Sequence, residues 1–256
     1  MRTDNMNFDI HYTGSKGNCA SIYYKNLGFL IDVGKSYKDI EPFLYDKQFI
    51  LITHKHGDHI KWTTYKKIRE NFPHIKFLSN STVNNELIKR KLPEVDVIFK
   101  DDFQVQIGDI KITSLQNYHG VNEEYTETHG FVFEAPEQNL LFATDLSTLV
   151  DYESYLLTNE LKLDIILLEA NYDPKVIEFS EYTKLHTGFD TYSNGSYRHL
   201  STVDRQLFIE KFSNESAVDV ELHMSARYRS FEGLVKMEKG KISMKDVDKW
   251  LNRWYS

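Results

Sequence analysis

The stretch Thr53-His54-Lys55-His56-Gly57-Asp58-His59 follows an apolar run, Phe49-Ile50-Leu51-Ile52. Three histidines and an aspartate fall within six positions, directly after a segment of strand length. His54 and His56 are two residues apart, so at an extended strand end their rings point to one side. Asp58 and His59 come at the next turn. One ion can take His54 and His56, and a second can take Asp58 and His59. Imidazole with carboxylate suits zinc or another borderline first-row ion. Gly57 is expected to supply an unusual backbone angle where the chain doubles back. A lone surface histidine usually binds nothing, but that reading does not account for this density of donors behind a buried strand.

Two ions need more than four ligands. The same context, a histidine or aspartate just past an apolar strand, recurs in IKITSLQNYHG at His119, in NLLFATD at Asp145 and in VDVELH at His223. Asp145, an anionic carboxylate, is suited to bridging two cations. Ligands gathered from several strand ends imply one edge of a layered sheet structure.

The rest of the chain fits such a structure. Its 256 residues are 41% hydrophobic and 14% aromatic, which excludes a disordered chain. The net charge of −7 gives no bulk reason for tight binding to long nucleic acid, although net charge says nothing of its distribution. The single cysteine, Cys19, permits no internal disulfide and no thiolate cluster, and reads as a small packed residue. The opening lacks the apolar core of a signal peptide, and no segment approaches a membrane span, so the expected compartment is the cytoplasm.

Short strands are expected at FDIHYTG, SKGNCASIYYKN, LGFLIDVG, FILIT, IKFLS, VDVIF, FQVQIGD, IKITSLQ, FVFEA, NLLFATD, KLDIILLEAN and VDVEL. Gly108-Asp109 suggests a hairpin. Helices are expected over 60–72, over STVNNELIKRKL with Ser81 as its cap, over 201–212 and over 244–254. Strands in runs with later helices suggest an α/β protein in one domain, 1–256, with two sheets face to face and helices outside.

The motif His54-Lys55-His56-Gly57-Asp58-His59, with His119, Asp145 and His223, resembles the metallo-β-lactamase superfamily. The likeness runs from LIDVG to HMSARY. It implies a four-layer αββα sandwich with a two-metal site on its edge. It further implies that His54, His56 and His119 hold one zinc, that Asp58, His59 and His223 hold the other, and that Asp145 bridges them. Mn2+ or another divalent metal is an alternative to zinc. The stretches RHLST and HMSARY resemble the ribonuclease Z-like phosphodiesterase branch. There, by resemblance, His199 protonates the leaving oxygen or steadies the phosphoryl group, and Asp58 is a metal ligand that also orients the nucleophile. YTGSKGNCASIYY and LLEANYD are similar to a bacterial DNA exonuclease branch and its phage relatives, with Glu169 placed to orient His199.

No long basic arm like that of ribonuclease Z is visible, and the 145–199 segment is poor in Lys and Arg. The expected substrate is therefore a small nucleotide phosphodiester such as a cyclic nucleotide, as in phage anti-Pycsar phosphodiesterases. Nucleic acid ranks below it, no membrane partner is expected, and a homodimer is possible. Tyr192 and Tyr197 are candidates to stack a base, and His186 to line the pocket. His129 reads as structural, and the Lys66-Lys67 and Lys89-Arg90-Lys91 charges as solvated helix faces. Two other classes compete. One is a thioesterase or lactonase, which needs no leaving-oxygen acid in HLST; the other is a non-enzymatic module, which needs no complete ligand set.

Overall fold

Alternate residues of the central strands face opposite ways, and this alternation builds the layers of the computed structural model, which describes residues 5–119, 126–183 and 196–254. Phe29 and Ile31 point into one apolar cluster while Leu30 between them joins another. Leu140 and Phe142 face the first cluster and Leu141 a third. These central strands are thus apolar on both faces, and each sheet is covered on both sides there.

The first sheet has the order β1 (Asn7–Tyr12), β2 (Cys19–Tyr24), β3 (Leu27–Ile31), β4 (Phe49–Ile52), β5 (Lys76–Asn80), β6 (Val97–Phe99). The second runs β12 (Ser213–Leu222), β11 (Leu163–Glu169), β10 (Gln138–Ala143), β9 (Thr126–Ala135), β8 (Ile110–His119), β7 (Gln104–Ile107). Their shared interface holds Phe29, Leu51, Phe131, Phe133, Phe142 and Leu167. Each such side chain, fully buried, contributes about 1.5–3 kcal/mol. The helices α1 (Tyr37–Ile40), α2 (Trp62–Asn71) and α3 (Ser81–Lys89) belong to the outer side of the first sheet, where Tyr65, Ile68, Val83 and Leu87 are buried with Leu30 and Ile50. On the second sheet, α4 (Val150–Thr158) and α6 (Thr202–Phe212) bury Tyr152, Leu156, Phe208 and Phe212. A fourth cluster joins α5 (Pro174–Tyr182), α7 (Phe231–Met237) and α8 (Met244–Trp254) through Phe179, Leu234, Val247 and Trp250. The expected four-layer αββα sandwich is what the chain forms.

Three local expectations need correction. Ser81 is not the cap of α3. Asn80 is, its side-chain oxygen accepting from Val83 N at 3.0 Å, while Ser81 Oγ donates to Glu127 at 2.9 Å. The helix expected over 60–72 starts at Trp62, because Ile60 is held in a bridge with Val33. Helices α1, α4, α5 and α7 were not expected; α5 and α7 nevertheless carry local starts, with Asp173 accepting from Lys175 N before Pro174, and Ser230 accepting from Gly233 N.

Topology sets the site. Strands β3, β4, β5 and β6 are parallel, as are β10, β11 and β12, so the carboxyl ends of each set gather at one edge. The end of β8 joins them, being antiparallel to β9, which is antiparallel to β10. Ligands of α/β sheets collect at such ends. No described helix is long and apolar enough to cross a membrane.

Candidate metal centre

The loop after β4 is fastened before it presents any donor. Thr53 O accepts from His129 N at 3.1 Å and from Asn80 Nδ2 at 3.2 Å, so the opposite sheet and the neighbouring strand β5 together hold the start of the loop. His129 is structural, as expected. Its Nε2 lies 2.7 Å from Asp101 and its Nδ1 is 3.3 Å from Asn80 Nδ2. At the far end of the loop, Asp58 O accepts from Asn18 N at 2.7 Å and from Asn18 Nδ2 at 3.2 Å.

The unusual backbone angle expected at Gly57 is not a positive φ; the described glycines with positive φ are Gly14, Gly17, Gly108 and Gly240. The essential glycine is Gly34, across from the loop, where an added Cβ would lie 1.7 Å from Asp58 O. Strain sits instead at three non-glycine strand-end residues. Asp32, Asp145 and His223 have φ of 63°, 58° and 49°. Each such residue costs on the order of 1–3 kcal/mol and persists only where its surroundings over-determine it.

The donors then converge. His54 Nε2 is 2.8 Å from His56 Nδ1, and both rings lie within 6 Å of His119, with centroid separations of 5.9 and 5.6 Å. His59 Nε2 is 2.9 Å from Asp145 Oδ2 and 3.6 Å from Asp58 Oδ2. His223 Nε2 is 3.9 Å from Asp58 Oδ2 and 3.7 Å from Asp145 Oδ1, and His119 Nε2 is 3.8 Å from Asp145 Oδ1. The structure therefore brings together all seven expected ligands, with Asp145 central. His54, His59 and Asp145 form one compact donor group, and Asp58, His59 and His223 another.

His119 and His59 are each turned by a partner on Nδ1, which leaves Nε2 for the cluster. His119 Nδ1 donates to Arg198 O at 3.2 Å. His59 Nδ1 is 2.6 Å from Asp32 Oδ2, and Thr53 N and Oγ1 donate to the same carboxylate. Asp32 was not singled out in the sequence, although it meets the criterion that found Asp145, an aspartate just past an apolar strand. Asn18 was also missed; its Nδ2 approaches His59 Nε2 at 2.9 Å.

His199 lies beside the cluster, its Nδ1 3.0 Å from Glu169 Oε1 and 3.8 Å from Asp145 Oδ1. Its ring stacks on that of His223 at 5.1 Å. Glu169 Oε1 also accepts from Leu200 N, and Oε2 from Asp145 N at 2.6 Å. Tyr197 is exposed and packs edge-on against Tyr172. His186 and Tyr192 lie outside the described residues.

The electrostatics call for positive charge. Burial opposes a charge on His59, yet the Asp145 and Asp32 carboxylates hold its pKa well above the ordinary value. Burial likewise opposes a charge on His223, which Asp145 and Asp58 nevertheless carry up to about 9. Burial alone would raise Asp145, but His223 and His59 hold it well below the usual carboxylate range. One buried atom at the centre, His223 Nε2, has no hydrogen-bond partner, while Asp145 Oδ2 faces His59 Nε2 at 2.9 Å. An unpaired buried polar atom is costly. A nitrogen and oxygen donor set with such an orphan fits divalent cations.

Beside the cluster opens a cleft of about 470 Å³, lined by Lys16, Asn171, His199, His223, Ser225 and Arg227 among others. A larger hollow lined by Asp109, Glu134 and Asp164 contains no residue of the donor cluster.

The chain is similar in sequence and fold to several known proteins. Exodeoxyribonuclease WalJ of Streptococcus pneumoniae is 23% identical over 239 residues, covering 85% of this chain and 86% of that one. Among solved structures, the metallo-beta-lactamase fold protein YhfI of Bacillus subtilis superposes with a TM-score of 0.65 at 13% identity, covering 94% of each chain. Human tRNase Z, short form, gives 0.59 at 14% identity, covering 86% of this chain and 93% of its own. Residues 31–204 match the family model described as beta-lactamase superfamily domain, and the chain belongs to that family.

Proposed function

We propose that the protein is a two-metal phosphodiesterase acting on a nucleotide phosphodiester bond. His54, His56 and His119 would hold one divalent ion and Asp58, His59 and His223 the other, with Asp145 between them; zinc suits these donors and manganese is the alternative. Bound there, the pair would supply Lewis acidity and lower the pKa of water.

The observation that supports phosphoryl chemistry best is His199. Its Nδ1 is tied to Glu169, which leaves Nε2 as the ring nitrogen open to a substrate in the cleft. Burial opposes a charge on this ring, but Glu169 and Asp145 raise its pKa, so it can carry the proton that a departing oxygen needs. A carboxylate and an imidazole in this order orient the acid, while Lys16 supplies positive charge along the cleft wall. A thioester or lactone hydrolase would have less use for such an acid.

Two substrates suit this chemistry. The acidic net charge favours a small cyclic nucleotide, and the name of the pneumococcal relative favours DNA. Elemental analysis of the reconstituted protein should find two ions per chain, and less than one would count against the reading. Turnover of bis-p-nitrophenyl phosphate should exceed that of a thioester. Cyclic mononucleotides, dinucleotides, DNA and transfer RNA precursor, assayed together, then separate the substrates.

A further inference from the structure

The acidic net charge conceals a segregation. Residues 223–256 contain eight Lys and Arg against four Asp and Glu, a net +4, while the 222 residues before them carry −11. Six of those cations, Lys236, Lys239, Lys241, Lys245, Lys249 and Arg253, are exposed on or next to α7 and α8.

Three of them converge. A groove of about 360 Å³ between the end of α5 and α8 is lined by Lys241, Lys249 and Arg253, with Tyr182 and the buried Trp250. Its one acid, Asp246, is engaged by Ser243 N and Oγ at 2.9 and 2.7 Å. Tyr182 is 51% exposed, and Arg253 Nη1 donates to its hydroxyl, which positions a ring face beside the charges.

The walls of the groove and the cleft meet at one buried acid. Buried Glu238 accepts from Arg227 Nη1, a cleft residue, and lies 3.5 Å from Lys241 Nζ, a groove residue. Helix α5 links the two at its ends. Asp173 N, at its start, donates to the carbonyl of the cleft residue Tyr228 at 2.8 Å, and Tyr182, in its last turn, lines the groove. Nine residues of helix separate them by about 13 Å. A small cyclic nucleotide in the cleft does not reach that far; a strand does.

We infer that this cationic groove carries the phosphate backbone of a single-stranded nucleic acid whose end lies in the cleft beside the metal cluster. The inference rests on the phosphodiesterase reading and names its substrate class, a strand rather than a cyclic mononucleotide. Spaced cations beside an exposed aromatic ring are how proteins track a single strand without reading its sequence.

The test uses metal-reconstituted protein and a fluorescent phosphorothioate 12-mer, which resists hydrolysis, followed by anisotropy at several salt concentrations. Wild-type protein should bind it with a salt-dependent Kd. Lys249→Glu with Arg253→Glu should raise Kd at least tenfold and reduce the salt slope by about 1.4, two contacts at roughly 0.7 each. Lys66→Glu with Lys67→Glu on α2, an equal charge change on another face, should leave binding within about twofold. Absence of wild-type binding, an unchanged groove variant, or an equal loss in the α2 variant would overturn the inference, as would binding to phosphatidylserine vesicles without binding to the oligonucleotide. Turnover of bis-p-nitrophenyl phosphate by the same wild-type preparation separately tests the phosphodiesterase reading, so failure of one is distinguishable from failure of the other.

Discussion

Glu169 Oε1 accepts from His199 Nδ1 at 3.0 Å, and the other oxygen of the same buried carboxylate accepts from the backbone of Asp145 at 2.6 Å. One side chain thus positions both the candidate acid and the candidate bridging ligand. Glu169→Gln keeps the shape but turns an amide N–H towards a backbone or ring donor, and an unmet buried donor costs about 1–3 kcal/mol. It also removes the charge that favours protonated His199. We expect two metals retained, kcat reduced on the order of ten- to a hundredfold, and the basic limb of the pH–rate profile, where His199 loses its proton, moved to lower pH. An unchanged profile would leave Glu169 with a structural role alone.

His199 and His223 should respond differently, although their rings stack. His223 Nε2 faces Asp58 and Asp145, so His223→Ala should lower the metal content. His199→Ala should keep two ions and lose a factor on the order of a hundred to ten thousand in rate on poor leaving groups. The loss should shrink on p-nitrophenyl esters, whose leaving oxygen needs no proton. Metal analysis with rates on both substrate types decides the matter, and loss of metal from His199→Ala alone would reverse the two roles.

The seven cluster residues were legible because each carries its signal locally, a metal-binding side chain at the end of a short apolar run. The alternation that placed Phe29 inside and Leu30 outside was equally local. Asp32 was hidden because its meaning lies 27 positions away, in the ring of His59. Asn18 is 40 positions from the Asp58 carbonyl that it holds, and Gly34 matters only because that same carbonyl approaches it. Ser81 and Asn80 are both good caps, and a count of residue types does not rank them. The groove charges were passed over because the net charge of the chain averages them away.

The histidine that fastens the loop predicts a pH dependence of stability. Burial lowers the pKa of His129, and Asp101 only partly offsets it. The unfolded chain therefore binds the proton more readily than the folded one. Stability is complete above the unfolded value, about 6.5, and falls as pH drops below it. His129→Gln keeps an N–H for Asp101 and does not titrate. Thermal melts between pH 7.5 and 5 should show a shallower loss in the variant than in the wild type, and parallel curves would refute the assignment.

Gly34 and Gly57 give a paired test of how the metal loop is held. Gly57 sits inside the motif, yet a Cβ there meets nothing within 4 Å and its backbone is not left-handed. Gly57→Ala should therefore retain both ions and most of the rate. Gly34 lies outside the motif, but its Cβ would overlap Asp58 O at 1.7 Å and crowd Asn18 N at 2.8 Å. Both are backbone atoms and cannot rotate aside. The Asn18–Asp58 link would have to break, and the carboxylate of Asp58 would move with its backbone. Gly34→Ala should thus lower metal content and melting temperature together, with a stability loss of about 1–3 kcal/mol, the usual cost of overpacking. The outcome that would sink this account is a Gly34→Ala protein with two ions and wild-type stability, since the loop would then be free to shift without consequence for the site.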